Sequence, residues 1–328
     1  MKLYFLTPQE SPLAAQDGST INAIRNDLLS RPEFDEASSA ESSDAIILNE
    51  QFSFKEWRYV SRLIGDAVVG RYANKVYTIN TDDIASGLLR GIYTSLPKSR
   101  CNTSLHRAVP YTWFPNEMVL QQRNHPRPQP DYLATWRGNP KSNKRLREGL
   151  LRNCRRSASF LVEPTDSWLE HGMKEKVHYV NVLRSGRFSL CPAGIAPVSF
   201  RIYESMALGI CPVIIADSFV PPEGPRWSDF SIQIPEKRLR DMESILKGKS
   251  DSYLEMGDLA KKEWERFFSP EQVMRYYADS LLACMDKSLG FGSPEGELAR
   301  WKSFGTYWRN GWTLSQRLCH RIRRLTCF

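Results

Sequence analysis

At roughly 150 residues per domain, a chain of 328 residues holds about two domains, each large enough for an ordinary hydrophobic core. Apolar residues at 41% and charged residues at 25% exclude wholesale disorder and fibrous architectures. The 45 basic and 37 acidic residues leave a net charge of +8, which suits a polyanionic partner: nucleic acid, an anionic membrane surface or a phosphorylated small molecule.

The seven cysteines are scattered and contain no Cys-x-x-Cys pair, so the expectation is reduced thiols rather than a disulfide framework or a zinc ribbon. The apolar run in Met1 to Pro8 is too short for a signal peptide. No stretch approaches the roughly 20 apolar residues of a membrane span, and the expected location is cytoplasmic.

In chain order, Leu3–Leu6 reads as a buried strand stopped by Pro8. A polar stretch over Ser30–Ser43 leads to a second buried strand at Ala45–Leu48. Phe54–Val69 carries apolar residues at Trp57, Val60, Leu63, Ile64, Ala67 and Val68, the spacing of an amphipathic helix, and Lys75–Ile79 reads as the next strand. This alternation predicts an α/β sheet whose ligands sit beyond the carboxyl ends of the strands. Asp82 and Asp83 follow one such end.

His125–Pro130 places prolines at alternate positions, the signature of an extended connector, and the domain boundary is expected there. The rhythm then restarts with a strand at Tyr132–Trp136, a helix over Lys144–Asn153 and a strand at Ala158–Val162. The expected division is an N-terminal acceptor-side domain over 1–125, a donor domain over 126–285 and a basic, aromatic tail over 286–328.

The chemistry concentrates in a strand running into a turn, Arg187–Gly194, a helix from Ser199 to Gly209, and a strand from Cys211. Ser199 is expected to cap the helix at its start and Gly209 to close it in a left-handed conformation. The first turn then presents unpaired N–H groups and a partial positive charge, a site for phosphate. Arg201 sits in that turn and can fork onto two phosphate oxygens. Glu204, on the same face, can accept from the two hydroxyls of a ribose. The alternative is an Arg201–Glu204 ion pair on a solvated helix face.

The segments Ser189-Leu190-Cys191-Pro192-Ala193-Gly194, Ser199-Phe200-Arg201 with Glu204, and Gly209-Ile210-Cys211-Pro212-Val213-Ile214-Ile215 with Asp217 resemble the exostosin-like glycosyltransferases. Trp227–Pro235 and Ile245-Leu246 continue the pattern, and Thr135-Trp136-Arg137-Gly138-Asn139 resembles the family's first donor-domain strand and basic turn. The resemblance implies a GT-B fold, two Rossmann-like domains facing each other across a cleft, and a sugar transferred with inversion from a nucleoside-diphosphate sugar, a UDP-sugar. The implied acceptor is a growing glycan of bacterial surface-polysaccharide type or a lipid-linked one. It further implies that Arg201 holds the diphosphate, Glu204 the ribose, and Arg137 a second place near the phosphates, with Ser199 and Gly194 completing the donor site. The alternative for Arg137 is a solvated position among Lys141, Lys144, Arg145 and Arg147.

No DxD motif is placed as in metal-dependent transferases, so no metal or other cofactor is expected. Ala196 and Pro212 stand eight residues either side of Glu204, where retaining enzymes of this architecture carry a second glutamate. Inversion requires a base; Asp17, Glu50, Asp82, Asp83 and His106 qualify by type, and Asp83 is selected. Its competing role is to cap a helix over Ile84–Leu89.

The tail mixes Trp301, Phe304, Tyr307, Trp308 and Trp312 with Arg300, Lys302, Arg309, Arg317, Arg321, Arg323 and Arg324. That composition suits peripheral attachment to an anionic leaflet; the alternative is a tail packed back on the body. A nucleic-acid-binding protein and a non-catalytic nucleotide- or carbohydrate-binding relative are the competing functional classes. No zinc-finger, RRM or KH signature supports a nucleic-acid partner.

Overall fold

The computed structural model describes residues 1–50, 59–83, 85–112, 116–166, 172–285 and 292–306. It divides into two compact units, residues 1–109 with the chain from 274 onward, and residues 110–273.

The first unit is built on a parallel sheet of β1 (Lys2–Leu6), β2 (Asp35–Glu36), β3 (Ala45–Asn49), β4 (Val76–Asn80), β5 (Arg90–Tyr93) and β6 (His106–Ala108). The strand order is β2-β1-β3-β4-β5-β6. A parallel sheet is covered on both faces, so its central strands read as unbroken apolar runs. Ala45 to Leu48 are all buried, and Leu3 registers with Ala45 and Ile46 with Val76. The chain moves outward from β1 to β2, then returns to β3 on the other side of β1. Helices α1 (Ser19–Leu29) and α2 (Tyr59–Gly65) make two of the connections.

The second unit contains a parallel sheet of β7 (Tyr132–Gly138), β8 (Phe160–Pro164), β9 (Gly186–Pro192), β10 (Cys211–Ile215) and β11 (Ile232–Gln233), in the order β11-β10-β9-β7-β8. Its helices are α3 (Glu117–Gln122), α4 (Lys144–Cys154), α5 (Met173–Arg184), α6 (Phe200–Ala207), α7 (Trp227–Phe230), α8 (Met242–Lys247) and α9 (Tyr253–Phe267). Its strand order also reverses, here between β7 and β9, the switch point at which open α/β sheets bind ligands.

The expected boundary at 125/126 shifts upstream, and the proline run is the reason. Arg127 is not an exposed linker residue: it donates to the carbonyls of Gly186 at 3.0 Å, Arg187 at 2.8 Å and Gly209 at 3.0 Å, and its guanidinium lies over Tyr253. Three carbonyls of the second unit thus hold the run against that unit's own body, and α3 before it belongs there too.

The expected boundary at 285/286 also moves. Helices α10 (Val273–Cys284) and α11 (Pro294–Lys302) group with the first unit from residue 274. Asp279 pairs with Arg31 at 2.6 Å, and the Cys284 thiol donates to the Gly91 carbonyl at 3.4 Å. Trp301, expected at a membrane surface, is fully buried among Leu6, Ile46, Leu48, Tyr59 and Leu63. Its indole N–H donates to Glu297, which also faces the fully buried Arg90 at 3.0 Å and the side chain of Arg300. This part of the tail packs back on the body; Phe304 remains exposed. Tyr307, Trp308, Trp312 and the later arginines lie outside the described residues.

Among the described residues no disulfide joins the five cysteines, and no helix is long and apolar enough to cross a membrane. Trp301→Ala should destabilise the chain by about 3–5 kcal/mol, the range for removing a buried tryptophan. Urea denaturation of the full chain measures it, and a midpoint unchanged from wild type would contradict the core role of α11.

Candidate functional site

The site grows from the local chemistry of α6. Ser199 has an extended backbone, and its hydroxyl accepts the Arg201 backbone N–H at 3.3 Å, an N-cap. Gly209, at φ +68°, donates to the Met206 carbonyl at 3.0 Å while Ile210 donates to Ser205 at 2.8 Å, a Schellman ending. Both expected caps are present, so an eight-residue helix is fixed with its amino end at the carboxyl edge of β9.

Arg201 is 4% exposed. One amino group of its guanidinium donates to the Ser199 hydroxyl at 3.4 Å and the other to the backbone carbonyl of Arg137. Its Nε is buried without an acceptor. The group lies over the rings of Trp136 and Tyr179, and a side chain on Gly138 would come within 2.9 Å of it. Glycine at 138 is therefore a matter of space. Glu204 is 9% exposed and accepts the Tyr179 hydroxyl. Burial raises its pKa, against the opposing pull of Tyr179 and Arg201. No ion pair joins Arg201 to Glu204 among the described residues, and both side chains are buried; a solvated surface pair is not what the fold makes.

Arg137, the second basic residue implied near the phosphates, is engaged by carboxylates. Its guanidinium pairs with Glu163 at 2.5 Å and with Glu175, and Glu163 also meets His178 at 2.8 Å. The contribution of Arg137 to α6 runs through its carbonyl. Arg147, read from sequence as one of several solvated cations, is instead buried: it donates to the carbonyls of Asn139 at 2.7 Å, Ala193 at 3.0 Å and Pro192 at 3.3 Å. Burial, with Arg201 nearby, pushes its pKa down to about 9, still charged at neutral pH. Gly194 sits beside it; a Cβ there would stand 3.0 Å from the Arg147 guanidinium. The ends of β7 and β9 are thus tied together at the switch point by Arg147 and Arg201.

In the first unit, the carboxyl edge of β3 and β4 holds Glu50, 5% exposed, which accepts from the Tyr59 hydroxyl, Thr78 at 2.9 Å and Asn80 at 2.8 Å. Asn80 in turn accepts the Asp82 N–H at 3.0 Å. Asp82 and Asp83 are half-buried in the turn after β4. Residues 85–89 are not helical, so Asp83 caps no helix there. Asp17 is exposed and accepts the Ser19 N–H at 2.9 Å, a turn role. His106 begins β6, at the opposite edge of the sheet. Burial and the nearby cations Arg300 and Arg107 lower its pKa to about 3, and its Nδ1 accepts the Asn102 N–H, so it is a neutral core histidine rather than a base.

Residues 27–249 match the exostosin GT47 domain. The chain belongs to the exostosin GT47 family. The match reaches back well before the specific motif of β9 to β10, taking in most of the first unit's sheet as well as the α6 site.

Within the family, the chain is 32% identical over 158 residues to a probable glucuronosyltransferase of Oryza sativa subsp. japonica, covering 44% of this chain and 35% of that protein. It is 36% identical over 92 residues to the probable glucuronoxylan glucuronosyltransferase IRX7 of Arabidopsis thaliana, 25% of this chain and 20% of that one. It is also 36% identical over 70 residues to the probable beta-1,4-xylosyltransferase IRX10 of Arabidopsis thaliana, 21% and 17% of the two chains. The matched segments thus span no more than 35% of these relatives' own lengths.

Of the site residues expected from sequence, hydrogen bonds join Ser199 to Arg201, Glu204 follows one turn on in α6, and Gly194 lies against Arg147. Sequence reasoning passed over Trp136, Tyr179 and Arg147. The last had a signal: Arg147 falls on the stripe of Leu150, Leu151 and Cys154 along α4, a cation on an apolar face.

A carboxyl whose pKa is raised by folding favours the folded state when protonated, and that contribution is lost as pH rises through the folded value. The stability of Glu204→Gln relative to wild type should therefore increase as pH rises from about 4 to about 7. Urea titrations across that interval measure it, and a constant difference would show that Glu204 ionises in the fold as it does in water.

Proposed function

We propose that the chain is an inverting glycosyltransferase that moves a sugar from a nucleoside-diphosphate sugar, a UDP-sugar, to a hydroxyl of a growing glycan. The observation that carries this reading is Arg201: a buried guanidinium at the first turn of α6 with a free Nε and no carboxylate within ion-pair distance among the described residues. A buried cation without a counter-ion is costly unless an anion arrives to meet it. The turn around it adds helix N–H groups of the same polarity.

In this reading the diphosphate docks on Arg201 and the start of α6, and Glu204, one turn on, accepts from the ribose hydroxyls. The family and the named plant relatives support the class of reaction, and the buried pair supports a nucleoside diphosphate as the donor's handle. The acceptor oxygen forms its bond to the anomeric carbon as the bond to the diphosphate breaks. The departing diphosphate takes the electron pair, and fixed cations stabilise it best because they need no reorganisation. The acceptor hydroxyl gives its proton to a carboxylate of the first unit, for which Asp83 is proposed. Glu50 already accepts from Tyr59, Thr78 and Asn80 in the same unit. The mechanism calls on no metal.

Calorimetric titration of the full chain should show UDP binding that Arg201→Ala weakens by about 2–3 kcal/mol, as for a lost charge-assisted contact. Equal affinity in a folded variant removes Arg201 from the site, and stabilisation by oligonucleotides but not by UDP in a thermal-shift panel favours the nucleic-acid class. Asp83→Asn should abolish transfer in a donor screen reading released nucleotide while UDP affinity holds. Full turnover would show that the base is another group.

A further inference from the structure

Arg147 and Arg201 face the same ring. Trp136 is fully buried, and the two guanidinium carbons lie 5.8 and 5.9 Å from its centroid. Neither cation has a carboxylate within ion-pair distance among the described residues, and each is within range to repel the other. Their acceptors are a hydroxyl and backbone carbonyls: Ser199 and Arg137 for Arg201; Asn139, Ala193 and Pro192 for Arg147. Carbonyls orient a guanidinium without cancelling its charge. Two like charges held this way raise the energy of the empty fold, and a ligand with two adjacent negative groups lowers it again. Arg137, by contrast, is already answered by Glu163 and Glu175.

We infer that Arg147 supplies the second positive charge to the donor's diphosphate, so that Arg147 and Arg201 across Trp136 form a two-cation site selective for a diphosphate over a monophosphate. The inference rests on the reading of α6 as a nucleoside-diphosphate site. Arg147 spends three of its five N–H donors on carbonyls at the ends of β7 and β9, which leaves two for a ligand and fixes their direction. Gly194 keeps that face open, since a Cβ would crowd the guanidinium.

A merely structural Arg147, stapling the loop after β9, would not discriminate between nucleotides, and that separates the roles. The affinities of uridine, UMP and UDP for the full chain are measured by calorimetry for wild type, Arg147→Gln, Arg147→Lys and Arg137→Gln. The expected result is a strong preference of wild type for UDP over UMP, reduced roughly tenfold or more in R147Q, with uridine affinity unchanged. R137Q should lose less of the preference than R147Q. R147K should keep much of it near neutrality and lose it as pH rises, because a buried lysine sheds its proton where arginine does not. Should R147Q fail to fold, the R147K pH course decides. A preference that survives in R147Q, stays flat with pH in R147K, or falls further in R137Q overturns the role of Arg147. Absence of the preference in wild type overturns the α6 reading itself.

Discussion

In the second unit two buried guanidinium groups have no carboxylate within ion-pair distance among the described residues. Arg147 reaches from α4 and Arg201 from α6, and both settle against Trp136 at the point where the strand order reverses. Their placement dictates much of what surrounds them. A side chain at position 138 would crowd the Arg201 guanidinium, Asn139 turns its carbonyl toward Arg147, and the loop after β9 gives up the Pro192 and Ala193 carbonyls to the same group. Helix α6 is short but capped at both ends, which holds Arg201 and Glu204 at fixed depth. The proximity of Arg201 disfavours the charge on Arg147.

The first unit handles its buried charge differently. Arg90 and Arg300 meet Glu297, so the interior of α11 is compensated, and its pairing keeps the Glu297 carboxyl low despite burial. Glu50 is held by three neutral donors at the ends of β3, β4 and α2. One fold therefore carries both charges met by opposite charges and charges met only by neutral hydrogen-bonding groups among the described residues.

The sequence made most of the strands legible because parallel strands buried on both faces are short apolar runs with turn residues between them; Ala45–Leu48 and Cys211–Ile215 are examples. The caps of α6 were legible too, since Ser199 and Gly209 act through local hydrogen bonds and a local φ. What escaped reading depends on contacts far along the chain. Arg127 looks like part of a linker until the carbonyls it serves, 59 to 82 residues away, are known. Trp301 and Arg300 have the composition of an interfacial segment, yet Trp301 joins a core cluster of residues from Leu6 to Leu89 and Arg300 donates to the Leu88 carbonyl, partners more than 200 residues earlier. The helix that would have made Asp83 a cap is absent over residues 85–89, where the chain is irregular with Gly87 at φ +67°.

The discontinuity of the first unit has a consequence for biogenesis. Residues 1–109 emerge from the ribosome without α10 and α11, and a groove fitted to Trp301 stays vacant until the whole of residues 110–273 has been synthesised. The core of residues 110–273 is complete within that stretch, whereas the core that holds Trp301 needs residues from both sides of it, so its apolar surface is covered only once α11 has been made.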